Sequence, residues 1–457
     1  MEERNLGTQE LQIIKYKKMT EEPVEKLVIK MAIPTIISML ITSFYNMADT
    51  FFVSRINSSA TAAVGVIFSL MAMIQAIGFC FGHGSGNYIS RKLGEQDIEE
   101  AEKMASTGFF SAFLMGVILA ILGTIFLNPL VKFLGATDSI FPYAKDYMRI
   151  ILIGAPFMIS SFVLNNQLRL QGNAAYAMVG ISIGALLNIV LDPIFILSFD
   201  MGIKGAAYAT VLSQVVSFTL ILKLCNYGGT IPIKLSNFKP NISKYKEIIH
   251  GGLPSLCRQG IASFATIFLN LAVGPYGDSA VAAMSVVMRV TNFASAALIG
   301  FGQGFQPVCG FNYGAKNYRR VKDAFWFCVK VSTISLTILA ILGFIFASNI
   351  IEVFSKEDPD LIIIGIKTLR MQCMAFPFLG WIILCNMMLQ NIGKYVKASI
   401  LAISRQGLCF IPIILILPKI FGITGVQVSQ PIADILTLII SIPMGIMTLK
   451  EFKNLEI

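Results

Sequence analysis

The chain of 457 residues is 55% hydrophobic and only 14% charged, with a mean hydropathy of +0.72. Soluble domains carry about 25% charged residues, so most of this chain must meet lipid; a soluble enzyme, a nucleic-acid binder and a secreted scaffold are excluded. The formal net charge of +10 then reads as topology, because cytoplasmic loops of membrane proteins collect Lys and Arg.

The chain opens on a polar, charge-mixed segment, 1–25, with no short apolar core and cleavage site, which predicts a cytoplasmic tail and not a signal peptide. Apolar stretches follow near 27–53, 60–81, 105–127, 147–168, 175–199 and 202–224. Each reaches the ~20 residues that a spanning helix needs. A polar break over 225–246 carries Gly228, Gly229, Pro232 and Pro240, and six more apolar stretches lie near 248–273, 279–308, 324–347, 361–389, 396–417 and 422–449. The predicted fold is an all-α integral membrane protein of twelve transmembrane helices. Its parts are the tail 1–25, an N-lobe 26–226, a cytoplasmic linker 227–246, a C-lobe 247–449 and a cytoplasmic tail 450–457.

Basic residues such as Arg91, Lys92, Lys103, Lys234, Lys239, Lys316, Arg319 and Lys394 gather in the linker and the even-numbered loops. Acids such as Asp138, Asp200 and Asp358 dilute the bases of the opposite set. Both termini are therefore expected on the cytoplasmic side of the inner (cytoplasmic) membrane. Eight scattered cysteines without a CxxC pair, and only two histidines, argue against a zinc site or a disulfide framework.

The halves repeat at an offset near 220. Ala120-Ile-Leu-Gly-Thr-Ile-Phe126 returns as Ala340-Ile-Leu-Gly-Phe-Ile-Phe346, Pro34 as Pro254, and Gly82, Gly84 and Gly94 as Gly302, Gly304 and Gly314. With one-residue slips, Pro193 pairs with Pro412. Two parallel six-helix repeats relate by an axis along the membrane normal, an arrangement that builds transporters with a central cavity open alternately to either side. Pro34 and Pro193 each remove a backbone hydrogen bond inside a span and are predicted hinges.

A polar residue present in one half alone is not required by the shared fold. Asp49 corresponds to Leu269, and Asp192 to Ile411. A carboxylate in hydrocarbon costs several kcal/mol unless paired, protonated or hydrated, so each is a functional candidate; the alternative is an Asp near a helix end reaching interfacial water. Thr42, Tyr45, Asn46 and Asp49 follow i, i+3, i+4, i+7; Asn188 and Asp192 are i, i+4; Thr210, Ser213, Gln214 and Ser217 repeat the first pattern. Three polar stripes on apolar helices should face one another. The resulting oxygen set of Asp49, Asn188, Asp192 and Thr210 suits Na⁺ or a shared proton and suits soft metals poorly. In the second half, Asp434 is expected to pair with one of Arg258, Arg289 and Arg405.

These features resemble the multidrug and toxic compound extrusion (MATE) family, and most closely its branch of MepA-like and damage-inducible-type exporters. The resemblance rests on Pro34 with Tyr45-Asn-Met-Ala-Asp-Thr-Phe-Phe52, on Asn188-Ile-Val-Leu-Asp-Pro193 and on Gly202-Ile-Lys-Gly-Ala-Ala-Tyr-Ala-Thr210. It implies two pseudo-symmetric lobes forming a V and secondary active export of cationic amphipathic compounds by antiport against Na⁺ or H⁺. It further implies coupling at Asp49, Asn188, Asp192 and Thr210, and a neighbouring drug cavity lined by Tyr45, Asn165 and Gln214, with Asn46 on the same polar stripe. No catalytic residue, no cofactor beyond the coupling ion and no nucleic-acid partner are expected; membrane lipids surround a monomer. Some branches carry an acid in the seventh or tenth span, but 248–273 and 361–389 contain none. The rival reading, a flippase of lipid-linked saccharides from the same superfamily, needs a strongly basic cavity, for which Arg258, Arg289 and Arg405 are candidates.

Overall fold

Backbone amides in hydrocarbon must bond within their own segment or within a closed barrel, and long apolar runs such as these satisfy them as helices. In the computed structural model, which describes residues 8–227, 230–354 and 358–455, every regular element among the described residues is helical. The predicted linker glycines Gly228 and Gly229 lie outside the described residues.

A short helix α1 (Thr8–Glu21) precedes α2 (Val24–Ser54), α3 (Ser58–Gly94), α4 (Ile98–Ile125), α5 (Leu127–Phe133), α6 (Phe141–Leu170), α7 (Ala174–Pro193) and α8 (Gly202–Leu224). The second half comprises α9 (Ile242–Val273), α10 (Asp278–Gly314), α11 (Tyr318–Ile345), α12 (Ala347–Glu352), α13 (Pro359–Asn391), α14 (Tyr395–Ile403), α15 (Phe410–Phe421) and α16 (Ile423–Leu455). With α14 and α15 counted as one span and the short helices α1, α5 and α12 set aside, twelve helices are long and apolar enough to cross a membrane. The all-α, two-lobed membrane architecture expected from the sequence is the one present. Side-chain caps open several spans: Asn57 Oδ1 accepts the Ala60 N–H and Asn241 Oδ1 the Lys244 N–H, both at 2.7 Å.

The duplication extends to backbone detail. α5 and α12 begin 220 residues apart, and Gln96 and Lys316, also 220 apart, both adopt left-handed backbone, φ 62° and 60°. Asn165 donates to the Ala177 carbonyl at 2.9 Å and Asn386 to the Ala398 carbonyl at 2.7 Å, each pinning the start of the next span. α6 and α13 are the central helices of their lobes: 78% and 67% of their apolar windows are buried, against 44% or less for every other span.

Several helices outrun the apolar stretches that announced them. α3 and α10 are 37 residues each, about 55 Å at ~1.5 Å per residue, whereas the hydrocarbon core is about 30 Å. The apolar run of α3 ended at 81 because Gly82, His83, Ser85, Asn87 and Ser90 follow; these are all buried, so the helix continues between the lobes and not in water. The predicted tail 1–25 contains α1, whose Met19 is 1% exposed and whose Met19 carbonyl accepts Asn312 Nδ2 at 3.0 Å. α9 starts at Ile242, inside the predicted linker, and α16 runs on to Leu455. The segment between α8 and α9 docks on the N-lobe: Ile231 N–H donates to Gln171 Oε1 at 2.9 Å and Lys234 N–H to Ser106 Oγ at 3.3 Å.

The lobes meet along a seam in which α3 packs on α9 and α10 on α2, with α3 and α10 touching at their ends. Small residues allow this. A Cβ on Gly84 would overlap the Ile248 carbonyl, and one on its repeat mate Gly304 would overlap the Ala32 backbone. Gly94 faces the Phe311 carbonyl while Gly314 faces the Arg91 carbonyl, a reciprocal pair around the pseudo-twofold axis. Polar ties close the seam where the chain's tails and linker gather. Arg91 donates to the Asn391 carbonyl at 2.7 Å and to Tyr395 Oη at 2.8 Å, and pairs with Glu247 at 3.3 Å. Thr35 Oγ1 donates to the Gly300 carbonyl at 2.7 Å. His83 is 2% exposed, 3.2 Å from Arg169 Nη2 through Nε2 and 3.1 Å from Ser255 Oγ through Nδ1. Because a guanidinium only donates, Nε2 accepts and Nδ1–H is the donor toward Ser255.

Two outcomes follow. Gly304→Val in the seam should lower the melting temperature of the solubilised protein by several degrees, as overpacking costs about 1–3 kcal/mol, whereas Gly65→Val, which meets nothing within 4 Å, should leave it unchanged. Asn165→Ala and Asn386→Ala should each cost about 0.6–2 kcal/mol, measurable in the same thermal assay.

Candidate functional site

The acidic cluster predicted from the polar stripes forms in the N-lobe, in the half of the membrane away from the tails. Asp192 is the penultimate residue of α7 and is fully buried, as are Asn188 one turn earlier and Thr210 on α8. With its amide nitrogen turned to the carboxylate, Asn188 donates to Asp192 Oδ2 at 3.0 Å, and its oxygen accepts the Thr210 N–H at 3.2 Å. Asn188 therefore clamps α7 to α8 and spends one of its hydrogens on Asp192.

The backbone below the cluster departs from α-geometry. Pro193 withholds its amide hydrogen, and the chain continues as a π-helical turn, Ile194–Ser198. Such wide turns concentrate at functional positions in helices, and this one leaves Asp192 at a joint between two helical geometries.

Asp49 reaches the same place from α2. Its Oδ1 is buried with no hydrogen-bond partner among the described residues, and it lies within electrostatic range of Asp192. The Tyr45 and Tyr147 hydroxyls lie within electrostatic range of both carboxylates, and Tyr147 Oη donates to Met71 Sδ at 3.8 Å. Two acids, two phenols, an amide and a hydroxyl thus converge with no basic side chain bonded to either carboxylate among the described residues. A buried carboxylate oxygen without a donor is costly unless a proton or a metal cation occupies it. The donors here are oxygens, and no group of three or more His, Cys, Asp or Glu side chains gathers among the described residues, so the site suits a proton or a hard monovalent cation better than a transition metal.

The other predicted residues fare differently. Gln214 is half-buried on the α8 stripe, and Asn46 is exposed on α2, turned away from its neighbour Tyr45. Asn165, expected in the drug cavity, donates through Nδ2 to the Ala177 carbonyl, a bond that Asn386 repeats in the other lobe, so this amide hydrogen serves the shared fold. Pro34 sits within a continuous α2 and Pro193 at the π-helical turn, so only the latter marks a visible change of helix geometry. Sequence reasoning missed Tyr147, which is fully buried on α6. It stands at the edge of the apolar stretch 147–168, but as the seventh residue of α6 it lies at a depth like that of Asp49, the sixth residue from the end of α2, and that match is the signal in the sequence.

In the C-lobe, Arg405 Nε donates to Asp434 Oδ1 at 2.8 Å and Gln430 Nε2 to the same oxygen at 2.9 Å. The expected ion pair is therefore made, and by Arg405. It lies on a second π-helical turn, Ser404–Cys409, and borders a cavity of about 370 Å³ shared by α9, α10, α13 and the segments near α16. All eight cysteines are free.

Comparison with known proteins places this geometry. The MatE family model matches residues 34–194 and again 254–416, once in each lobe. The multidrug export protein MepA of Staphylococcus haemolyticus (strain JCSC1435) is 27% identical over 420 residues, 91% of either chain. That of Staphylococcus aureus (strain MSSA476) is 27% identical over 416 residues, 91% of this chain and 92% of its own. Among solved structures, an outward-facing conformation of a multidrug resistance MATE family transporter of the MOP superfamily superposes with a TM-score of 0.90 at 28% identity, covering 96% of this chain and 98% of that one. Two family matches spanning both repeats, on twelve apolar helices and a matching tertiary structure, establish that the chain belongs to the MatE family and is a membrane transporter, not an enzyme.

Proposed function

We propose that this transporter exports cationic amphipathic compounds by antiport against Na⁺ or H⁺, and that Asp49, Asn188, Asp192 and Thr210 form the site where the two cargoes compete. The observation that carries the proposal is the buried, unpartnered Asp49 Oδ1 beside the enclosed Asp192. The relatives known as multidrug export proteins supply the cargo class. The excess of Lys and Arg in the linker and even-numbered loops supports a reading in which tails and linker lie in the cytoplasm, the protein spans the inner membrane, and it works as a monomer. The sealed seam then faces inward and the acidic cluster lies in the outer half.

From that side a proton or Na⁺ neutralises the paired acids. Two like charges in a site of low dielectric repel strongly, so the cation relieves the repulsion and lets α7 repack at the Pro193 turn, displacing the drug. Once the seam opens inward, loss of the ion restores negative charge and attracts a lipophilic cation. The membrane potential supplies about 2.3 kcal/mol per charge per 100 mV. Tyr45 and Tyr147 lie within electrostatic range of both carboxylates and supply hydroxyl dipoles beside them. In the C-lobe, Arg405 is already neutralised by Asp434, which leaves too little positive charge for a pyrophosphate and favours the exporter over a lipid-linked saccharide flippase.

Asp192→Asn should abolish gradient-driven ethidium efflux from cells while the purified protein melts within a few degrees of wild type; full efflux in that variant would overturn the assignment. Imposing a Na⁺ or a pH gradient separately on proteoliposomes names the ion. Tyr147→Phe should slow efflux severalfold without abolishing it, because the carboxylates remain while one hydroxyl worth about 0.5–1.5 kcal/mol is lost.

A further inference from the structure

The cavity of the C-lobe differs in sign from the acidic cluster of the N-lobe. Its charged lining consists of Arg258, Arg405 and Asp434, a sum of +1. Asp434 is committed to Arg405 and Gln430. Arg258, on α9 one turn beyond Pro254, has no ion pair among the described residues. It also lies within electrostatic range of Arg169, which is 1% exposed and whose Nε and Nη1 find no partner. A guanidinium inside a span without a counter-charge costs several kcal/mol unless water or an anion compensates it.

The repeat shows that the fold does not demand these charges. At the offset of 220, Arg258 corresponds to Ser38 and Asp434 to Gln214; at the offset of 219 that pairs Pro193 with Pro412, Arg405 corresponds to Leu186. The rest of the wall mixes uncharged polar side chains, Gln259, Asn292, Gln372 and Gln406 among them, with an adaptable apolar part, Met284, Met288, Phe376 and Leu379, whose thioethers re-pack around varied shapes. A volume of about 370 Å³ falls in the ~300–1,000 Å³ range of small-molecule sites.

We propose that the C-lobe cavity is a second ligand site, taking an amphiphile with a single negative charge, whose anionic group meets Arg258 and whose apolar body fills the space between α9, α10 and α13. A free fatty carboxylate and the phosphodiester of an acidic membrane lipid both present this chemistry. The site is independent of the ion-coupled exchange at Asp49 and Asp192, because it shares no residue with it.

The test is fluorescence titration of the full-length protein in phosphatidylcholine nanodiscs with 11-(dansylamino)undecanoic acid, corrected for empty nanodiscs. The carboxylate should bind saturably, and its methyl ester at least about tenfold more weakly, the loss expected for one charge-assisted hydrogen bond. Arg258→Gln should weaken the carboxylate by a similar factor and leave the ester unchanged, with Arg258→Lys intermediate. If Arg258→Gln does not fold, Ala402→Phe, which narrows the cavity without touching a charge, should weaken the carboxylate instead. Repeating the titration in phosphatidylglycerol nanodiscs separates the sources: competition there identifies the acidic lipid as the occupant, and undiminished binding identifies the free carboxylate. Equal binding of acid and ester, or carboxylate binding unchanged in a folded Arg258→Gln or Ala402→Phe variant, would overturn the proposal.

Discussion

In a bilayer every backbone polar group must find its partner inside the protein, and the architecture follows from that requirement. It makes each span a helix, gives the Asn165 and Asn386 amides partners in the Ala177 and Ala398 carbonyls in the first turn of neighbouring spans, and makes any polar side chain left without a donor or acceptor conspicuous. Asp49 in one lobe and Arg258 in the other are two such groups. Buried groups such as the Asn87 amide, Ser160 and the Arg169 guanidinium also keep atoms without a partner among the described residues, so it is the convergence of such groups with other polar side chains, not any one of them alone, that locates the chemistry.

The fold was largely legible because lipid enforces a simple code. Runs of about twenty apolar residues announce spans, and a duplicated chain states each of them twice. The code failed where a helix leaves lipid but stays buried. Gly82, His83, Ser85 and Asn87 look like a loop, yet they are the tail-bearing end of α3, enclosed by α9 and α10. It failed too at α5 and α12, whose few residues are too short to stand apart from the spans they follow.

The acidic cluster was legible for a different reason: Asn188 and Asp192 share a helical face, and neither is repeated in the second half. The repeat could not show that Asn165 is spent on Ala177, since an isolated amide in a span says nothing about which atom it serves. Nor could it show the C-lobe cavity, which is assembled from residues scattered over α9, α10, α13 and α16 with no common motif. Duplication thus produced one scaffold twice, and divergence then gave its halves opposite electrostatics. The fifth span of each lobe carries a π-helical turn, at different depths, and its neighbourhood is anionic in one lobe and holds a neutralised ion pair next to a spare guanidinium in the other.

The glycines of the seam have a mechanical consequence. Where Gly84 abuts Ile248 and Gly304 abuts Ala32, main chain rests on main chain with no knob seated in a hole. Surfaces of that kind part without any rotamer having to turn. The two lobes can therefore slide and separate along these lines without repacking side chains, once the ties made by Arg91 and Thr35 are released.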